Sequence, residues 1–104
     1  MSEINVVAVL HPKPEKLKEV TALVTDIVKK VQENEPDTLL YYAFHVPETN
    51  EIVIVERYKY PEAVRLHVKA PYFQDFAAKI PGWSSQPWEL RAGAFLGIRG
   101  VSRL

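Results

Sequence analysis

The residues best suited to acid–base chemistry lie between Glu56 and Tyr72. Glu56 and Tyr58 are two residues apart, and His67 and Tyr72 follow. Histidine titrates near neutral pH, so His67 can act as a general base. The alternative is a half-buried histidine bonded to a neighbouring carbonyl. Glu56 is either the carboxylate that orients His67 or the partner of a nearby Arg or Lys, and the residue types leave both open.

Aromatic side chains surround these polar residues in the sequence. Tyr58 and Tyr72 are more typical of tyrosines that fill space while their hydroxyls find hydrogen bonds. An aromatic strand is usually core or interface, but it can also line a ligand cavity. The candidate catalytic residues are therefore His67, Tyr58 and Glu56. The candidate substrate-binding residues are Tyr42, Phe44, Tyr72, Phe73 and Phe76.

The composition excludes several classes of site. The 104 residues include no cysteine, which rules out disulfides, thiolate metal sites and cysteine nucleophiles. Thirteen basic and thirteen acidic residues cancel, so nothing favours nucleic acid or an anionic membrane as partner. A zinc site would need His11, His45 and His67 to converge, and their spacing does not support it, so no metal is expected. With four glycines and no glycine-rich loop, a nucleotide site is not expected either.

Hydrophobic patterns predict the elements that must position these residues. Apolar runs and alternation predict strands, and apolar residues at helical spacing after prolines predict helices. The predicted strands are 4–11, 38–46, 51–59 and 88–97, and the predicted helices are 14–34, 61–69 and 71–80. This order predicts an α+β fold of the ferredoxin-like, split βαβ type, with a four-stranded antiparallel sheet and helices on one face. Because several strands are apolar on both sides, the other face is expected to be covered by a second copy of the chain.

The segment from Val53 to Phe76 resembles the antibiotic biosynthesis monooxygenase family. The resemblance rests on Glu56-Arg57-Tyr58 at a strand end, Ala63 followed four residues later by His67, and the aromatic pair Tyr72-Phe73 opening the next helix. It is close from Glu56 to Phe76 and follows the order of elements from Ile4 to Leu96. It implies a dimeric α+β barrel whose pocket, between the sheet and the short helices, maps onto Tyr58, His67 and Tyr72. The family often has Trp where Tyr58 stands and His or a small residue at the position of Tyr72.

The resemblance also implies a reaction. The expected function is a cofactor-independent monooxygenase acting on a small aromatic or polyketide-like phenol, with no metal, flavin or haem. The alternatives are an isomerase using the same pocket base and a non-catalytic, small-molecule-binding or stress-related dimer. The expected domain is 1–98, with a tail over 99–104. Residues 1–5 lack a basic region and the apolar run 6–10 is too short for a signal or a membrane span, so a cytoplasmic protein is expected. The expected oligomer is a homodimer.

Overall fold

The computed structural model describes residues 3–97, 100, 101 and 103. Its strands are β1 (Ile4–Leu10), β2 (Thr38–Val46), β3 (Glu51–Tyr58) and β4 (Glu89–Ala94), and its helices are α1 (Leu17–Asn34), α2 (Pro61–Lys69) and α3 (Pro71–Lys79). Short 3₁₀ turns, Pro14–Lys16 and Ile80–Trp83, precede α1 and follow α3. Every predicted element is therefore confirmed, although β4 ends three residues early. The predicted boundary between domain and tail, at Ile98 and Arg99, lies outside the described residues.

The four strands form one antiparallel sheet in the order β2-β3-β1-β4. The predicted ferredoxin-like fold is confirmed, because β3 lies between β1 and β2 and the long helix α1 crosses over from one to the other. The pairing of β2 with β3 shifts register between Thr38 and Leu40, which marks a β-bulge at the start of β2.

The helices cover one face of the sheet because their apolar residues recur on one side. Val20, Val24, Ile27 and Val31 are the buried residues of α1, at spacings of three and four. In α2 the buried residues are Ala63 and His67, four apart and therefore on one side of the helix. A proline starts both α2 and α3, and Ala70 between them is extended, as expected for the residue before Pro71.

The two faces of the sheet differ in burial. On the face beneath the helices, β3 presents Ile52, Ile54, Glu56 and Tyr58, all of them buried. The other face, called the open face below, carries half-buried valines from β1 and β3 and exposed side chains from β2. Within the described residues, no helix is long and apolar enough to cross a membrane.

Candidate active site

A buried carboxylate holds the imidazole of His67. His67 lies in the last turn of α2 and is 2% exposed. Its Nδ1 is 2.8 Å from Oε2 of Glu35, the C-cap residue that follows α1. Glu35 has a non-helical backbone, with φ −123° and ψ 82°, because Pro36 follows it and disfavours helical geometry. Its side chain, 8% exposed, lies beneath α2 against His67.

Glu35 accepts hydrogen bonds from three elements. Besides His67, the hydroxyl of Tyr72 at the start of α3 donates to Oε2, and Thr38 Oγ1 in β2 donates to Oε1 at 2.7 Å. Burial by itself would raise the pKa of Glu35, but the hydrogen bonds from His67, Tyr72 and Thr38 outweigh it and lower that pKa. Glu35 is therefore ionised at neutral pH.

The charge of Glu35 decides which ring nitrogen of His67 carries the proton. An ionised carboxylate can only accept hydrogen bonds, so Nδ1 of His67 must be the donor. In the neutral imidazole, Nε2 then has a free lone pair. Nε2 is buried, and no side chain or backbone group in the described part of the chain hydrogen-bonds to it. A buried, oriented and unpartnered basic nitrogen is suited to accept a proton from a ligand.

His67 lines an apolar cavity of about 130 Å³ between the sheet and the two short helices. Its ring packs between aromatic rings, with centroid distances of 5.0 Å to Phe73, 5.2 Å to Tyr41 and 5.7 Å to Tyr58. The remaining wall is aliphatic and aromatic: Val6, Ala8, Leu10, Ile54, Val64, Val68, Phe76, Trp88, Leu90 and Ala92. Such a cavity keeps water away from the imidazole.

Glu56 lines this cavity, and its hydrogen-bond partner is Tyr58 rather than His67. The Tyr58 hydroxyl donates to Glu56 Oε1. Burial raises the pKa of Glu56, and the hydrogen bond from Tyr58 offsets this only in part. Burial and the nearby Glu56 also raise the pKa of Tyr58, so its phenol stays neutral. The pair supplies polarity to a wall that is otherwise apolar.

The sequence model of the antibiotic biosynthesis monooxygenase family matches residues 3–79, about three quarters of the chain. The chain belongs to this family. No curated protein matches it.

Solved structures of similar shape include members of the same family. A protein of Caulobacter crescentus, named a putative antibiotic biosynthesis monooxygenase, is 25% identical over 91% of each chain, with a TM-score of 0.85. A Bacteroides thetaiotaomicron protein of the same name is 24% identical, with a TM-score of 0.84, over 97% of this chain and 95% of its own. Rv0793 of Mycobacterium tuberculosis is 21% identical, with a TM-score of 0.88, over 95% of this chain and all of its own. Family and fold are therefore established.

The structure brings together most of the residues predicted for the family site. His67, Tyr58 and Glu56 meet at one cavity, and Phe73 and Phe76 line it. Tyr72 is not among the lining residues. Its hydroxyl instead donates a hydrogen bond to the carboxylate of Glu35.

Two predictions about this site need correction. Tyr42 and Phe44 lie on the open face, opposite Val55 and Val53, so they are not part of the cavity beneath the helices. The prediction that Glu56 either orients His67 or pairs with a basic residue is also wrong. Glu56 is bonded to Tyr58, and Glu35 orients His67.

The other two histidines do not approach His67. His11 is bonded to Glu89 and His45 to Asn50, each at a sheet edge or turn. A groove of about 380 Å³ beside Trp88 and Pro87 is larger than the cavity at His67, but it has no ionisable lining residue. The cavity at His67 is therefore the candidate active site.

Proposed function

We propose that this chain is a cofactor-independent monooxygenase that oxidises a small phenol with dioxygen. The observation that carries the proposal is Nε2 of His67, which is buried and unpartnered within the described residues, at an apolar cavity, while Nδ1 is held by Glu35. Membership of the antibiotic biosynthesis monooxygenase family supports it.

The reaction begins with transfer of the phenolic proton to Nε2 of His67. The resulting imidazolium is stabilised by Glu35, whose carboxylate stays ionised. The electron-rich phenolate then gives one electron to dioxygen, the two radicals combine as a peroxide at a ring carbon that carries hydrogen, and the imidazolium returns its proton to give the hydroperoxide. Loss of water leaves a carbonyl at that carbon. One oxygen atom stays on the product, the other leaves as water, and the substrate supplies all the electrons.

The cavity suits a single aromatic ring. Apolar cavities of about 150 Å³ accommodate benzene, and the cavity at His67 measures about 130 Å³. The surrounding rings of Phe73, Tyr41 and Tyr58 can pack against a flat substrate. A substituted hydroquinone is the expected substrate class, and a three-ring anthrone would require the cavity to expand.

Oxygen uptake with a panel of hydroquinones and anthrones tests this function. His67→Gln is the informative variant, since its amide can still donate to Glu35 but has no basic nitrogen. We expect it to lower the rate by about 10²–10⁴-fold, the usual contribution of a general base. His45→Ala is the matched control, because His45 is exposed and is bonded to Asn50.

Three outcomes would contradict the proposal. Equal rates for the wild type and His67→Gln would remove His67 from the chemistry. Conversion of the substrate without oxygen would favour an isomerase that uses the same base. Binding of the aromatic compounds without their conversion, with or without oxygen, would favour a non-catalytic binding protein.

The proposal includes a homodimer formed through the open face. Tyr42 and Phe44 are 46% and 47% exposed, and Leu40 is 42% exposed beside them. With the half-buried Val53 and Val55 they form a continuous apolar surface, and such surfaces are typical of protein interfaces. A second copy offers the same surface and can cover it by two-fold symmetry.

Sedimentation velocity tests the dimer. Phe44→Asp places a charge in the apolar surface and is expected to give monomers, while Leu66→Asp is the control, since Leu66 is 58% exposed on α2. A wild-type chain that sediments as a monomer at micromolar concentration would contradict the dimer but would leave the proposed chemistry standing.

A further inference from the structure

A second cluster of a histidine and carboxylates lies on the open face, away from the cavity. His11 directly follows β1, Glu51 begins β3, and Glu89 begins β4 beside Val9. His11 Nε2 is 2.7 Å from Glu89 Oε2, and His11 Nδ1 is 3.8 Å from Glu51 Oε2. The His11 side chain is 11% exposed. Three strand ends thus place their ionisable groups around one point.

The far oxygen of each carboxylate has a neighbour outside the cluster. Thr49 Oγ1 donates to Glu51 Oε1 at 2.8 Å, and an Arg91 guanidinium nitrogen lies 4.0 Å from Glu89 Oε1. The other oxygen of each carboxylate, Oε2, is left facing His11. Outer partners that orient ligand side chains in this way are typical of metal sites.

The donor atoms are close enough to share one ion. One ligand atom from each of His11, Glu51 and Glu89 lies within 4.8 Å of the others. Ligands about 2.0–2.2 Å from a tetrahedral zinc ion are about 3.3–3.6 Å apart. Glu51 and Glu89 are 28% and 47% exposed, so their side chains can move the remaining ångström without disturbing the core.

The charge balance also favours a cation. Two carboxylates face one imidazole, which carries at most one positive charge, and Arg91 contacts the cluster only at its margin. A divalent ion bound to one ring nitrogen of His11 would balance the charges of both carboxylates.

We propose that His11, Glu51 and Glu89 form a binding site for a divalent cation of the zinc type. An imidazole with two carboxylates suits Zn²⁺ or Co²⁺, whereas Ca²⁺ and Mg²⁺ prefer oxygen ligands alone. Three protein ligands leave a position for water. The ion would join the ends of β1, β3 and β4, and it would not touch the cavity at His67.

Titration of the tag-free, full-length chain tests the site, with calorimetry for Zn²⁺ and visible absorption for Co²⁺. We expect one equivalent per chain, and more than about tenfold weaker binding in His11→Ala, Glu51→Gln and Glu89→Gln. His45→Ala and Glu62→Gln are matched controls that should bind as the wild type does. His45 is an exposed histidine bonded to Asn50, and Glu62 is an exposed glutamate bonded to Arg65.

Circular dichroism in EDTA establishes that each variant is folded before titration. If His11→Ala does not fold, the two Glu→Gln variants still test the site. Wild type that takes up no Zn²⁺ or Co²⁺ would overturn the proposal. So would binding that survives the loss of Glu51 and Glu89, or that falls equally with His45. Mg²⁺ binding as tight as that of Zn²⁺ would show that the imidazole is not a ligand.

Discussion

Two histidine–glutamate pairs of nearly equal length lie on opposite faces of the same sheet. His67 is 2.8 Å from Glu35 beneath the helices, and His11 is 2.7 Å from Glu89 on the open face. In the first pair both side chains are less than 10% exposed, whereas Glu89 is 47% exposed. The short contact is common to both, so the contact alone does not determine the chemistry.

The surroundings of the second ring nitrogen make the difference. Nε2 of His67 lies at an apolar cavity without a partner in the described residues, which leaves its lone pair for a ligand. In His11 both nitrogens face carboxylates, so the ring can bridge charges but is not available as a lone base. The comparison shows how the surroundings make one histidine a candidate base and another a candidate metal ligand.

The largest expected effect is on stability, in the buried pair. His67→Ala removes the partner of an ionised, buried carboxylate, and breaking such a pair costs about 3 kcal/mol of unfolding free energy. His11→Ala breaks a more exposed pair and should cost less than about 1 kcal/mol. Urea denaturation of both variants in EDTA measures the difference. Equal losses would show that burial does not separate the two pairs.

A smaller effect is expected on turnover when the orienting carboxylate is neutralised. Glu35→Gln no longer requires Nδ1 of His67 to be the donor, so part of the contribution of the base is lost, about 10–10²-fold in kcat. Tyr72→Phe removes one hydrogen bond but keeps the carboxylate, and its loss should be smaller. Steady-state oxygen uptake compares them. If Glu35→Gln altered only KM, Glu35 would contact substrate rather than position His67.

The carboxylates of Glu35 and Glu56 should affect stability with opposite pH dependence. The pKa of Glu35 in the folded chain is below the ordinary value of 4.5, so its contribution is present above pH 4.5 and lost as pH falls below it. The pKa of Glu56 is raised above 4.5, so stability falls as pH rises from 4.5 through the raised value.

Denaturation of Glu35→Gln and Glu56→Gln between pH 3 and pH 8 measures this contrast. Relative to the wild type, Glu35→Gln should lose stability as pH rises through 4.5, and Glu56→Gln should gain it. Parallel curves for the two variants would contradict the assignment of opposite shifts.

The smallest effect on stability is expected for Glu89, the more exposed of the paired carboxylates. Glu89→Gln in EDTA should change the unfolding free energy by less than about 0.5 kcal/mol, because surface ion pairs contribute little and salt screens them. Thermal unfolding at low and high salt measures it. A loss as large as that of His67→Ala would show that Glu89 is not solvated in solution.

The elements of the fold were predictable because local patterns determine them. Prolines at positions 14, 61 and 71 mark helix starts, and alternation in β3 correctly places Glu56 and Tyr58 beside two core isoleucines. The position of His67 on the inward side of α2 follows from its spacing of four from Ala63. These features depend on neighbours within a few residues.

Glu35 was missed because its role depends on contacts across the fold. It is 32 residues from His67 and 37 from Tyr72, and in the sequence it is only a polar residue before Pro36. Pairing of Glu56 with His67 was one of two alternatives from the sequence, but the two side chains come from different layers, and Glu56 is bonded to Tyr58. The one available signal was the glutamate at the turn where α1 leads into β2.

The carboxylate of Glu35 connects α1, β2, α2 and α3 through bonds to Thr38, His67 and Tyr72. Opening α2 alone would leave that charge buried without one of its partners, so the short helix should not unfold independently. In hydrogen exchange, the amides of α2 should therefore be protected nearly as long as those of α1, although α2 has only nine residues. The hydrogen bonds that orient His67 would then also make α1 and α2 unfold as one cooperative unit.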